Sequence, residues 1–220
     1  MNKDFENFEY IGFDMDGTLF DTYEGIYNSL CYAMAKQGRP NPTEAQARLC
    51  IGPPLDDSCR ILFGMNEEET TRTIELFREN YIPVGQNLCR PYDGIIRVLQ
   101  ELKKDGKKLF VATSKPVIPA RNIVKRFELD QYFCHVEGTP PGAGDYSKED
   151  VLKGAFAALG ITDKSKVILI GDTKFDIIGA KAVGIQSMGV LYGFGSREEL
   201  ESHGADYIAP TTDDILKFFR

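Results

Sequence analysis

Tyr10-Ile11-Gly12-Phe13, Lys108-Leu109-Phe110-Val111-Ala112 and Lys166-Val167-Ile168-Leu169-Ile170-Gly171 are short apolar runs, each closed by polar residues and followed by helical periodicity. Such runs read as buried parallel strands in βα units. After Pro91 the alternation continues, predicting helices over 93–105, 116–128, 147–160 and 174–183. Strands are predicted over 108–113, 133–137, 166–171, 185–190 and 206–208. Between the first two strands the pattern changes to helix throughout. Thr22 to Gln37 carries Ile26, Leu30, Ala33 and Met34 on one face, and Thr43-Glu44-Ala45-Gln46 is a capping box opening a second helix. Pro54–Phe63 and Asn66–Tyr81 supply two more, the last with Ile74, Phe77 and Tyr81 at helical spacing. The expected fold class is α/β, a Rossmann-like parallel sheet flanked by helices and interrupted by a four-helix cap. Residues 1–19 and 89–220 would form the core and 20–88 the cap.

Composition narrows the partners. With 220 residues, 42% of them hydrophobic, the chain can bury a sizeable core. A formal charge of −7 argues against a nucleic-acid polymer or an anionic membrane, which need basic patches. It leaves room for a small phosphorylated metabolite, because one metal ion and one Lys reverse the local field. No apolar run approaches about 18 residues, and the first seven residues contain no apolar segment of the signal-peptide kind. The five cysteines (Cys31, Cys50, Cys59, Cys89 and Cys134) show no C-x-x-C spacing and read as reduced thiols of a cytoplasmic protein. A monomer is expected.

The chemistry gathers where the strands stop. Asp14-Met15-Asp16-Gly17-Thr18 follows the first run, Thr113-Ser114-Lys115 the second, and Asp172 the third, with Asp176 four residues on. Ligands of open α/β sheets bind at that edge. Asp14 there is a metal ligand or a nucleophile that accepts a phosphoryl group, and Asp16 is placed for proton transfer. An Asx-type turn is the plain structural alternative for this segment. The EF-hand register fails, because Leu19 falls where its turn glycine belongs. Asp172 brings a third carboxylate, and a cluster of hard oxygen ligands without His or Cys favours Mg²⁺. Asp172-Thr173 also reads as a helix N-cap. Ser147-Lys148-Glu149-Asp150 is a cap that puts Lys148 in a first helical turn, where a cation opposes the helix dipole unless it serves a bound anion. Thr113 and the amides after it are neutral phosphate donors. Lys115 has no evident task, and Pro116 suits the first position of the next helix. His135 and His203 lie outside every motif. Other phosphate signatures are missing: no G-x-x-x-x-G-K-[ST] occurs, and Gly142-Ala143-Gly144-Asp145-Tyr146-Ser147 lacks its last glycine.

In order and spacing, Asp14-Met15-Asp16-Gly17-Thr18, Thr113, Lys148 and Gly171-Asp172…Asp176 resemble the four motifs of the haloacid dehalogenase-like hydrolase superfamily. Ile51-Gly52-Pro53-Pro54-Leu55, Ala112-Thr113-Ser114-Lys115-Pro116 and Gly189-Val190-Leu191-Tyr192-Gly193 are similar to its phosphoglycolate phosphatase and 5′-nucleotidase-like branch. The resemblance implies a phosphoric monoester hydrolase with Asp14 as nucleophile and Asp16 as acid/base. It implies Mg²⁺ at the Asp14 side chain, the Asp16 carbonyl and Asp172, with Asp176 in support, and phosphate held by Thr113, Ser114 and Lys148. Substrate would be read by the cap, where Arg48 and the turn Gly52-Pro53-Pro54 are the candidates. The Pro/Gly-rich loop 138–145 departs from relatives that carry charged side chains there. Asp16 argues against a dehalogenase, and a cap with Lys36 as its one lysine argues against a Schiff-base phosphonate hydrolase. A sugar-phosphate mutase of the β-phosphoglucomutase type shares the core residues and differs in its cap. A non-catalytic phospho-accepting signalling domain also clusters Asp, Thr and Lys, but needs only about half this length.

Overall fold

Tyr10–Phe13 forms β1, whose apolar run is buried because strands pair with it on both sides. The computed structural model describes residues 5, 7–143 and 146–219. Gly144 and Asp145 of the Pro/Gly-rich loop, and most of the stretch read for a signal peptide, lie outside them. From β1 the chain passes through β2 (Phe20–Asp21) into four helices and returns through β3 (Arg90–Pro91). The helices are α1 (Tyr23–Lys36), α2 (Glu44–Leu49), α3 (Leu55–Phe63) and α4 (Glu67–Tyr81). Then follow α5 (Ile95–Lys104), β4 (Lys108–Pro116), α6 (Val117–Arg126), β5 (Phe133–Thr139) and α7 (Lys148–Leu159). The chain closes with β6 (Val167–Gly171), α8 (Lys174–Val183), β7 (Gln186–Val190), α9 (Arg197–Ser202), β8 (Tyr207–Ala209) and α10 (Thr212–Phe218). Two compact units result, Met1–Phe20 with Pro91–Arg220, and Asp21–Arg90.

The larger unit is the expected α/β fold, a six-stranded sheet in the order β5-β4-β1-β6-β7-β8 with every pairing parallel. Tyr10 lies opposite both Lys108 and Val167, so β1, β4 and β6 start at one level, and Phe13, where β1 stops, lies opposite Val111 and Ile170. Side chains of a strand alternate between faces. Phe110, Ala112, Val167 and Leu169 meet Val151, Leu152, Ala155 and Phe156 of α7 and Ala180 and Val183 of α8. Each large apolar side chain buried this way contributes about 1.5–3 kcal/mol by leaving water. The residues of opposite parity, including Ile11, Phe13, Leu109, Val111, Ile168 and Ile170, are equally buried. Both faces of the central strands are thus covered, which is why those runs read as continuously apolar.

In the smaller unit, Ile26, Leu30, Ala33 and Met34 of α1 are buried as their spacing predicts. The buried stripe of α4 is displaced from the predicted one. Thr70, Thr73, Leu76 and Tyr81 are buried, while Ile74 and Phe77 are half-buried. Thr73 tolerates burial because its hydroxyl donates to the Glu69 carbonyl at 2.8 Å. Capping boxes Thr43/Gln46 and Asn66/Glu69 start α2 and α4. All five cysteines are free thiols. No helix among the described residues is long and apolar enough to cross a membrane.

Candidate active site

Where β1 stops, the Asp14 amide still donates to the Ile170 carbonyl at 2.8 Å, so Asp14 keeps the direction of the strand. The chain then turns sharply, with the Gly17 amide donating to the Phe20 carbonyl at 2.9 Å. Gly17 has φ +83°, and a Cβ there would strike the Asp172 carboxylate. Glycine therefore serves both the turn and the close approach of β6.

Lys148 opens α7 behind its Ser147/Asp150 capping box. Its Nζ lies 2.7 Å from Asp14 Oδ1 and 2.8 Å from Asp176 Oδ1, and donates to the Ala112 carbonyl at 3.0 Å. Two carboxylates offset the unfavourable helix dipole at that position. Asp172 follows β6 and is fully buried. Its Oδ1 accepts the Thr18 hydroxyl at 3.1 Å and its Oδ2 the Phe194 amide at 2.8 Å. Half-buried Tyr192 steadies the same loop, its hydroxyl donating to the Thr18 carbonyl at 3.1 Å. Asp176 Oδ2 accepts the amide and hydroxyl of Thr173, so the N-cap of α8 is Thr173 rather than Asp172.

Oxygens of Asp14, Asp172 and Asp176 lie within 4.8 Å of one another. Burial pushes the Asp14 carboxyl up to about 6; Lys148 opposes the rise, and Asp176 and Asp16 add to it. Burial, then Asp176 and Asp14, holds Asp172 well above the usual carboxylate range against the Phe194 amide and Thr18 hydroxyl. For Lys148, burial alone would lower the ammonium's pKa; Asp14 and Asp176 outweigh it and hold the pKa above its ordinary value. Lys115 Nζ pairs with Asp16 Oδ2 at 2.9 Å. Four carboxylates (Asp14, Asp16, Asp172, Asp176) against two ammoniums (Lys115, Lys148) leave two formal negative charges. A divalent cation balances that charge, and an all-oxygen donor set suits a hard one. Asp172 Oδ1 accepts from Thr18 and Oδ2 from Phe194, and a carboxylate so bonded keeps lone pairs for a metal. Asp176 is committed to Thr173 and Lys148, which makes it a support rather than a primary ligand.

The structure thus brings Asp14, Lys148, Asp172 and Asp176 together and sets Asp16 beside them. Thr113 is buried next to Ala112, its Oγ1 accepting the Lys115 amide at 3.2 Å. Ser114 is half-buried, its carbonyl accepting the Thr139 hydroxyl at 2.8 Å. Arg48, Gly52 and Pro53 belong to the smaller unit. There the Arg48 guanidinium lies 4.7 Å over the Tyr23 ring and 3.1 Å from Glu44. His135 pairs with Glu137, and His203 Nδ1 lies 2.7 Å from the Glu199 carbonyl. Pro116 ends β4 and precedes α6 instead of occupying its first turn. Sequence reading assigned no task to Thr18, Phe194 or Lys115, although Thr18 lies within the Asp14 motif and Tyr192-Gly193 next to Phe194 was already conspicuous.

Residues 11–190 match the family model described as haloacid dehalogenase-like hydrolase. The chain belongs to this family. It is 35% identical over 191 residues to a 5′-nucleotidase of Pseudomonas aeruginosa, covering 87% of this chain and 86% of that one. It is 32% identical over 213 residues to the tyrosine-protein kinase PtkA of Mycobacterium tuberculosis, covering 96% and 72%. Among solved structures, a predicted phosphatase from Clostridium acetobutylicum superimposes with a TM-score of 0.90 at 37% identity, over 96% of this chain and 97% of that one. The family and the resemblance to its 5′-nucleotidases and phosphoglycolate phosphatases are borne out.

Proposed function

We propose that this protein is a Mg²⁺-dependent phosphatase that hydrolyses a small phosphomonoester, of the phosphoglycolate or 5′-nucleotide type, through an aspartyl-phosphate on Asp14. The observation that carries the reading is the Asp14–Lys148–Asp176 arrangement beside Asp172, which holds two formal negative charges in excess. Asp14, Asp172 and the Asp16 carbonyl would hold the metal, with Asp176 behind them. When bound, Mg²⁺ neutralises phosphoryl oxygens and favours in-line transfer.

An Asp14 oxygen attacks phosphorus, and the bond to the ester oxygen breaks as that oxygen takes a proton from Asp16. Water then attacks the same phosphorus, its proton passes to Asp16, and the bond to Asp14 breaks to release inorganic phosphate. Lys148 and Thr113, with Ser114 beside it, hold the phosphoryl oxygens. Splitting the reaction in two suits a substrate class whose uncatalysed hydrolysis is among the slowest known.

We assign substrate reading to the smaller unit, as a cap. There Arg48 presents a half-exposed cation, and Gly52 at φ +104° with Pro53 forms a stiff turn. A screen of phosphorylated metabolites with Mg²⁺, run beside Asp14→Asn, tests the reading. Release of phosphate by the wild type alone supports it. Phosphate moved between sugar positions without release would replace hydrolysis by mutase chemistry.

A further inference from the structure

β4 does not run evenly along β5. Thr113 lies opposite Gly138, but the next partners are Pro116 and Thr139, so Ser114 and Lys115 are extra residues in β4. Bulges of this kind re-aim side chains and are over-represented next to active sites. This one is fixed from three directions. The Lys115 amide donates to Thr113 Oγ1 at 3.2 Å, and the Thr139 hydroxyl donates to the Ser114 carbonyl at 2.8 Å. Gly138 approaches so closely that a Cβ there would lie 2.6 Å from the Lys115 carbonyl. The result buries a lysine, 8% exposed, at the edge where the catalytic groups collect. Its ammonium ends 2.9 Å from Asp16 Oδ2. The other oxygen of the same carboxylate, Oδ1, is buried without a hydrogen-bond partner.

A buried polar atom left unpartnered costs about 1–3 kcal/mol and calls for an explanation. A carboxyl that passes a proton to a leaving oxygen needs one oxygen held and the other open. We propose that Lys115 is a positioning residue for Asp16: it pins Oδ2, so that Oδ1 is the oxygen that carries the proton to the ester oxygen and takes one from water. This inference rests on the proton-transfer role given to Asp16 above. With Oδ2 accepting from the ammonium, a proton on Asp16 sits on Oδ1 in both half-reactions. The bulge in β4 thereby ties the phosphate-binding Thr113 and the orientation of Asp16 to one short backbone segment.

The test uses the full chain with Mg²⁺ and two probes, p-nitrophenyl phosphate and phenyl phosphate, which differ in how much their leaving oxygen needs a proton. Lys115→Met should lower kcat on phenyl phosphate about tenfold more than on p-nitrophenyl phosphate, with KM for both changed less than about twofold. In an Asp16→Asn background the same substitution should add less than about a further twofold loss, because the group it positions is gone. Lys115→Arg, which keeps a cation at Asp16, should retain most of the wild-type difference between probes. It also serves if Lys115→Met does not fold. An equal loss on both probes, or full additivity in the double variant, would overturn the proposal. A loss confined to KM would make Lys115 a substrate-binding group and overturn it as well. If Asp16→Asn alone lowered both probes equally, the proton-transfer role itself would fall and this inference with it, an outcome distinct from failure of Lys115 alone.

Discussion

Replacing Lys148 by Met removes the ammonium that touches Asp14 and Asp176 and keeps the aliphatic stem packed over Gly179, where a Cβ would come within 2.5 Å of Lys148 Cγ. The side chains involved are 5%, 9% and 1% exposed, so solvent screens them little. Removing one partner of such a buried set costs about 3–5 kcal/mol, a large part of the roughly 5–15 kcal/mol by which domains are stable. The loss should depend on pH. The folded Asp14 carboxyl titrates near 6, above its ordinary 3.8, so the folded state holds that proton more tightly. Metal-free stability is therefore highest below about 3.8 and falls as pH rises through about 6, by on the order of 3 kcal/mol for this group. Without Lys148 the Asp14 pKa rises further. The variant should show its full deficit near pH 8 and less than about half of it near pH 5. Mg²⁺ should recover more stability in the variant than in the wild type, since the site has lost a positive charge. At about a hundred times Kd a ligand adds roughly 2.7 kcal/mol. Urea unfolding at both pH values, in EDTA and then in Mg²⁺, reads all of this. A deficit independent of pH, or an equal Mg²⁺ gain in both proteins, would refute the electrostatic account of Lys148.

Gly17→Ala should abolish activity and weaken Mg²⁺ binding measured by calorimetry more than about tenfold, because a Cβ at that left-handed position meets the Asp172 carboxylate. Unchanged Mg²⁺ affinity would count against Asp172 as a ligand. Arg48→Ala should change kcat/KM by different factors among phosphorylated metabolites and leave p-nitrophenyl phosphate within about threefold of wild type. One common factor for every substrate would make Arg48 a stability element of its helix.

Much of this was legible in the chain. A parallel sheet delivers the C-terminal ends of β1, β4 and β6 to one edge, so three polar strand ends predict one site before any contact is known. Ser147 and Asp150 place Lys148 at a helix start by local chemistry alone. What escaped depends on partners distant in sequence. β4 runs on to Pro116 only because β5 holds it across a bulge, which is what aims Lys115 at Asp16. The Phe194 amide reaches Asp172 from beyond β7, and a backbone donor leaves no signature in residue type. Apolar spacing alone does not reveal the buried stripe of α4, because Thr70 and Thr73 lie in it beside Leu76 and Tyr81. The start of α10 is set by local chemistry, since Thr211 and Asp214 form a capping box like the others.

The most direct test of the central claim is to trap the covalent intermediate. Radiolabelled p-nitrophenyl phosphate mixed with the Mg²⁺-loaded enzyme and quenched in acid within a turnover should leave label on the protein, removable by hydroxylamine, within the peptide containing Asp14. Asp14→Asn should carry no label and hydrolyse nothing while still unfolding cooperatively as a folded protein. Rapid turnover by the wild type with no labelled protein at any quench time, or a tenth of wild-type activity surviving in Asp14→Asn, would contradict the account.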